Sequence, residues 1–281
     1  YIWRSISSRK KPQIWNENIS KLYRNIMLKS RVIPTLLLNK ESLVKTKQFR
    51  NFNYVGDPCN TVKIFNELEV DELLFLDISS KRISDGPNFS VLQEIADECF
   101  MPLSYGGGIS NFEHAKKIFN IGFEKVVLNS ALFENEKLIT EISETYGNQA
   151  IIASVDYKKD FYGNVKVFSN GGRLNTKKDV ISWVKSCEAL GAGEILLTSI
   201  EREGTWDGLD FDMIKAVTES VNIPVIAHGG AGTIDDIRIA IKECKCSAVG
   251  LGSMVVYQKK DMGVLVNFPI ASKLEDIIYE S

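Results

Sequence analysis

The 281-residue chain has only two histidines, His114 and His228, and five cysteines, Cys59, Cys99, Cys187, Cys244 and Cys246, with no C-x-x-C pair. So few imidazoles exclude a His-rich transition-metal centre, and the thiol spacing fits neither a zinc site nor a disulfide framework. The cysteines read as reduced thiols. No stretch approaches the roughly 18 consecutive apolar residues of a membrane span, and no apolar core follows the basic start to make a secretory signal. A cytoplasmic chain without membrane contact is expected. With 44% hydrophobic and 25% charged residues, disorder is not the main reading either.

Charge is balanced overall but not along the chain. Residues 1–26 carry Arg4, Arg9, Lys10, Lys11, Lys21 and Arg24 against Glu17, a net of +5, whereas the other 255 residues hold 28 bases and 35 acids, a net of −7. The basic segment is read as an N-terminal extension outside the fold, with residues 27–281 as the folded domain; its Ser- and Arg-rich, acid-poor start also resembles a transit peptide. An acidic body and an unpatterned basic tail argue against nucleic-acid binding.

What the body does contain is alternation. Short apolar bursts fall at Val32–Leu38, Leu73–Ile78, Leu103–Gly106, Lys125–Asn129, Ile151–Asp156, Ile195–Ser199, Val225–His228 and Ala248–Gly252. Helix-period segments lie between them at Pro58–Leu68, Phe89–Glu98, Phe112–Asn120, Asn135–Thr145, Lys177–Leu190, Asp210–Glu219 and Ile234–Lys242, with an eighth at Ala271–Tyr279. Eight strand–helix units in about 250 residues describe an α/β (β/α)8 TIM barrel. A doubly wound open sheet would share this order of elements. An internal repeat favours closure: Glu72 and Glu194, Pro102 and Pro224, Gly107 and Gly229, and Gly108 and Gly230 each lie 122 residues apart, as two half-barrel copies would place them.

In such a barrel the chemistry sits at the C-terminal strand ends. There the sequence places two glycine runs, Gly106–Gly108 and Gly229–Gly232. Glycines let backbone N–H groups approach an anion, so each run is either a phosphate cradle or a tight turn. Their repetition, with Asn129-Ser130 and Gly252-Ser253 after two further strands, favours two phosphate sites. Asp77 and Asp156 close two strands and could transfer protons or hold hydroxyls. His228 reads as a space filler or hydrogen-bond donor, and His114 as a solvent-facing helix residue. At the opposite ends, Arg31, Glu72, Lys125 and Glu194 begin four strands, either as ordinary strand-start charges or as a charged ring.

These residues resemble the cyclase subunit of imidazole glycerol phosphate synthase. The resemblance runs from about Arg31 to the final helix through "RVIP", "LVKTKQF", "GDP", "VDELLFLDIS", "GGGI", "KVVLNSA", "GNQAIIASVD", "GAGEILLTSIEREGT" and "GGAG". It implies a barrel partnered by a class I glutaminase at its N-terminal face, with ammonia passing up to a bis-phosphorylated ribotide ligand and no metal or cofactor. By resemblance, Gly108, Asn129 and Ser130 hold one phosphate and Gly204, Gly230, Gly252 and Ser253 the other. Asp156 matches a catalytic aspartate; Lys45, on a mobile loop after the first strand, Asp77 and Thr198 match residues lining the site. Arg31, Glu72, Lys125 and Glu194 match the gate for ammonia.

The second catalytic aspartate is absent. Where the family reads I-P-C-L-D, this chain reads Ile33-Pro34-Thr35-Leu36-Leu37. A positioned acid or base contributes typically about 10²- to 10⁴-fold in rate, so cyclisation of the usual substrate should be slow or absent. Glu203 in place of Asp and His228 in place of a small residue depart further. The expectation is therefore an ammonia-receiving amidotransferase subunit with a changed acceptor, resembling paralogues that accompany amidation of surface-glycan sugars, where a third, sugar-amidating protein would receive the ammonia. A working cyclase and a non-catalytic docking module for the glutaminase remain the alternatives.

Overall fold

The computed structural model describes residues 30–79 and 86–278. The extension 1–26, the domain's own start at Met27 and Tyr279 of the last expected helix lie outside the described residues. Eight parallel strands close on themselves: β1 (Arg31–Asn39), β4 (Leu73–Asp77), β5 (Leu103–Gly106), β6 (Lys125–Leu128), β7 (Ile151–Lys159), β10 (Glu194–Ser199), β11 (Val225–His228) and β12 (Ala248–Leu251). Closure comes from β12, which pairs with β11 on one side and aligns Ala248 with Arg31 of β1 on the other. The chain is a (β/α)8 barrel.

The helices follow the expected segments: α1 (Pro58–Glu67), α2 (Phe89–Glu98), α3 (Phe112–Ile121), α4 (Ala131–Glu134), α5 (Lys137–Tyr146), α6 (Val180–Leu190), α7 (Phe211–Thr218), α8 (Ile234–Lys242), α9 (Ser253–Val256) and α10 (Ala271–Ile278). Short polar side chains set several starts. Asp57, Asn111, Asp179, Asp210 and Thr233 each accept a backbone N–H of the first turn, and Asp236 returns the bond at α8 as a capping box. Asp179 is why α6 starts at Val180 rather than at Lys177.

Side chains alternate across the strands. One face packs against the helices in a continuous apolar shell containing Phe65, Phe75, Ile95, Tyr105 and Trp183. The other fills the barrel interior with Ile33, Leu74, Val127, Ile152, Leu196, Ile226 and Ala248, one from each of seven strands. The register carries the half-barrel repeat: Leu73 pairs with Leu103 and Leu76 with Gly106, while their counterparts 122 residues on, Ile195 and Val225, and Thr198 and His228, pair likewise.

Two antiparallel hairpins rise from the C-terminal rim. β2 (Ser42–Lys47) and β3 (Arg50–Gly56) fold back on β1, and β8 (Val165–Ser169) with β9 (Leu174–Asn175) folds back on the end of β7. The second pairing is why β7 runs on to Lys159 instead of stopping at Asp156.

Candidate active site

At the N-terminal end, four strand-start charges converge into a closed ring. Arg31 donates to Glu72 at 2.7 Å and to Glu194 at 3.1 Å, while Lys125 reaches Glu72 at 3.4 Å and Glu194 at 3.0 Å. Each cation thus bridges both carboxylates, and Ser104 Oγ donates to Glu72 at 3.0 Å. Glu194 Oε2 is buried with no hydrogen-bond partner among the described residues. Directly above the ring lies the apolar interior layer, so the barrel axis passes from paired charges into hydrocarbon.

At the C-terminal end a cavity of about 630 Å3 opens, lined among others by Leu37, Asp77, Gly108, Asn129, Ser130, Asp156 and Thr198. Its proton-transfer candidate is Asp156, which accepts from Asn129 Nδ2 at 3.0 Å and from Ser154 Oγ at 3.3 Å. Burial raises its carboxyl from the usual 3.8 to about 7, against the opposing pull of the hydrogen bonds from Ser154, Thr198 and Asn129. A group half-ionised near neutrality can both give and take a proton. Asp77 is held differently, accepting the Ser79 amide at 2.9 Å and facing Tyr105 Oη at 3.5 Å. Gly107 is required beside it: at φ +130°, a Cβ there would sit 2.5 Å from the Asp77 carbonyl oxygen.

The other expected ligand residues gather in a separate, narrow cleft. Lys45, Gly204, Gly230, Gly252 and Ser253 line it, and Glu203 and His228 form the wall shared with the cavity. Lys45 stands on strand β2, not on an irregular loop, because the segment after β1 folds back as a hairpin; its side chain is buried and forms an ion pair with Glu203. His228 is buried with Nδ1 at 3.3 Å from Thr198 Oγ1, and burial, followed by the charge of Lys45, pushes it down to about 4. It is a neutral imidazole filling space, as its setting beside a glycine run suggested. His114, by contrast, is not solvent-facing: it is half-buried, with Nδ1 at 3.2 Å from the Gly108 carbonyl oxygen, bracing the first glycine loop from below.

Several lining residues escape the sequence reading. Phe49 and Phe52 come from the β2–β3 hairpin, and Asn170, Gly171 and Arg173 from the β8–β9 hairpin. The paired glycines Gly171-Gly172 were the available signal, at φ +63° and +75°. The Asn170 amide donates to Ser130 Oγ at 2.9 Å, fixing that loop over the cavity.

Comparison with known proteins decides the family. The family described as "Histidine biosynthesis protein" matches residues 31–261. This chain belongs to it. A Pseudomonas aeruginosa relative provisionally named imidazole glycerol phosphate synthase subunit hisF2 is 44% identical over 249 residues, covering 89% of this chain and 99% of the relative. A Vibrio vulnificus relative provisionally named subunit hisF3 is 43% identical, covering 90% of this chain and 97% of the relative. The imidazole glycerol phosphate synthase subunit HisF of Trichormus variabilis is 36% identical, covering 86% and 95%. Within the histidine-biosynthesis family the chain is a divergent paralogue of the HisF cyclase type.

Against that membership, Leu37 stands out structurally. Asp156 pairs in register with Thr198, and Leu37 pairs with Leu76, the half-repeat counterpart of Thr198. Leu37 is thus the symmetry mate of Asp156, buried in the wall of the same cavity. One half-barrel carries a carboxylate at this position and the other a hydrocarbon. Among the described residues, no cluster of three or more His, Cys, Asp or Glu could hold a metal ion, and no helix is long and apolar enough to cross a membrane.

Proposed function

We propose that this barrel is the ammonia-receiving subunit of a glutamine amidotransferase whose acceptor differs from the usual histidine-pathway ribotide, such as a surface-glycan sugar. A class I glutaminase would dock at the N-terminal face, over the Arg31–Glu72–Lys125–Glu194 ring. That the relatives are named as subunits supports an assembly of this kind. Neutral ammonia can cross the apolar layer around Ile33, Leu74 and Leu196, whereas an ammonium ion would lose its hydration there at great cost. The ring is therefore a point at which glutamine-derived ammonia enters without bulk water.

The observation that carries the changed acceptor is Leu37. Two-carboxylate cyclisation needs one group to remove a proton while another supplies one, and a leucine at the mate of Asp156 can do neither. Asp156 alone retains proton transfer near pH 7. With cyclisation lost, ammonia reaching the cavity is passed to a phosphorylated sugar there or to a third, sugar-amidating protein seated at the mouth.

The test is turnover of the ribulosyl substrate by the purified barrel in excess ammonium salt, beside a Leu37→Asp variant. Turnover by the native chain about 10²-fold or more below that of the variant supports the proposal. Equal turnover by both would make the chain a working cyclase and overturn it.

A further inference from the structure

The two glycine cradles are not equivalent. The first, at Gly107–Gly108 and Ser130, opens onto the cavity of about 630 Å3, which Arg173 also lines. The second, at Gly230, Gly252 and Ser253, lines a cleft of about 10 Å3. That is far less free space than the first cradle offers, and what fills it decides whether an anion can seat there.

The occupant of the second cradle is part of the chain. A Cβ added to Gly252 would meet Lys45 Cε at 3.0 Å and Nζ at 3.4 Å, so the lysine head lies against the glycine backbone where an anion would otherwise rest. Its charge is spent internally on Glu203. Glu203 is itself 1% exposed and anchored, its second oxygen accepting from Thr46 Oγ1 at 3.0 Å and from the Phe49 amide at 3.1 Å. The Gln48 amide adds a bond to the Glu203 carbonyl at 2.8 Å. Gly204, at φ +73°, leaves no space for a side chain because the Thr46 carbonyl oxygen would lie 2.3 Å from its Cβ. The β2–β3 hairpin is therefore docked onto the second cradle, and His228 closes the side facing the cavity. A dianion entering this cleft would meet the Glu203 carboxylate, and Lys45, the lysine in its lining, is already paired with that carboxylate.

We infer that this barrel takes a ligand with a single phosphate, held at the first cradle, and that the second cradle is plugged by the Lys45–Glu203 pair. This rests on the reading of the cavity as an acceptor site and narrows it. The acceptor would be a monophosphorylated molecule whose other end is uncharged and lies beneath Leu37 and Leu76 in the cavity wall. Ligands with phosphates at both ends would not span the two cradles.

The experiment is a titration of the 15N-labelled protein with inorganic phosphate, followed at the backbone amides of both cradles. In the native chain the Gly108 and Ser130 amides should shift saturably, while Gly230 and Gly252 should require at least about tenfold more phosphate. In Glu203→Gln, whose one amide oxygen can still accept from both Thr46 and Phe49 while the carboxylate charge that pairs the lysine is removed, the Gly230 and Gly252 amides should titrate within about threefold of the first cradle. Glu203→Ala is the second variant should the amide perturb the hairpin. Equal midpoints at both cradles in the native chain would overturn the inference, as would no response at Gly108 and Ser130. A second cradle still silent in both folded variants would overturn the plug. Because nothing is turned over, these outcomes stand apart from the ribulosyl assay that tests the changed acceptor.

Discussion

Replacing Asp156 by Asn should stabilise the protein in a pH-dependent way. The native carboxyl is raised from 3.8 to about 7, chiefly by burial. The folded chain therefore holds this proton more tightly than the unfolded chain, and stability falls as pH rises from about 4 to about 7. At 1.36 kcal/mol per pH unit the interval corresponds to about 4 kcal/mol, fully lost above the folded value. Asparagine fits without that loss, since its oxygen still accepts from Asn129 and its amide can donate to Ser154 Oγ. Denaturant unfolding at pH 4 and pH 8 should show an advantage for Asp156→Asn of under about 1 kcal/mol at the lower pH and about 4 kcal/mol at the higher. At roughly 2 °C or more per kcal/mol, Tm at pH 8 should rise by about 8 °C. An advantage of the same size at both pH values would refute the burial argument. Residual ammonia-dependent turnover should be abolished by the same change, and unchanged turnover would remove Asp156 from the chemistry.

Lys125→Met should leave Glu72 and Glu194 sharing one guanidinium, costing roughly 1–3 kcal/mol by denaturant unfolding, and should reduce glutamine-dependent activity more than activity with free ammonium. Equal loss with both nitrogen sources would contradict the gate. Gly107→Ala should destabilise by about 1–3 kcal/mol, because the new methyl meets the Asp77 backbone at positive φ, and should raise the phosphate concentration needed at Gly108. An unshifted unfolding midpoint would show that the loop relaxes at no cost.

The barrel strands are legible in sequence because buried parallel strands are short apolar bursts, and Leu103–Gly106 and Val225–His228 coincide with the expected segments. The hairpins are not. Their strands mix buried apolar residues such as Leu43 and Val167 with buried or exposed polar ones and give no clean period, and the β2–β3 turn uses Gln48, Phe49 and Asn51 at positive φ, with no Gly or Pro to mark it. That turn decides where Lys45 lies, so the split of the ligand residues between a wide cavity and a narrow cleft was beyond reach from spacing alone. The ring was half legible: strand-start charges are visible, but which cation bridges which carboxylate depends on barrel closure. The mate relation of Leu37 and Asp156 likewise emerges only from register.

The proposed route between ring and cavity crosses the inner apolar layer. Six of the seven inner side chains are Ile, Leu or Val, and the seventh is Ala248. The next inward position on β12 is Gly250, where a Cβ would lie 2.8 Å from Thr35 Oγ1 and 3.2 Å from His228 Cδ2. There the Thr35 hydroxyl and the His228 ring already take the space a side chain would use, so Ala248, the smallest side chain of the layer, sets the line on which the proposed passage of ammonia is tested. Ala248→Val adds bulk on that line while keeping an apolar wall; overpacking of this kind costs typically about 1–3 kcal/mol, which leaves a folded barrel to assay. With the glutaminase bound, product formed per glutamate released should fall, because ammonia blocked at the layer escapes to solvent. Product formed from added ammonium salt, which enters at the open C-terminal mouth, should not change. An unaltered product-to-glutamate ratio in a folded Ala248→Val protein would place the route elsewhere in the layer or outside the barrel.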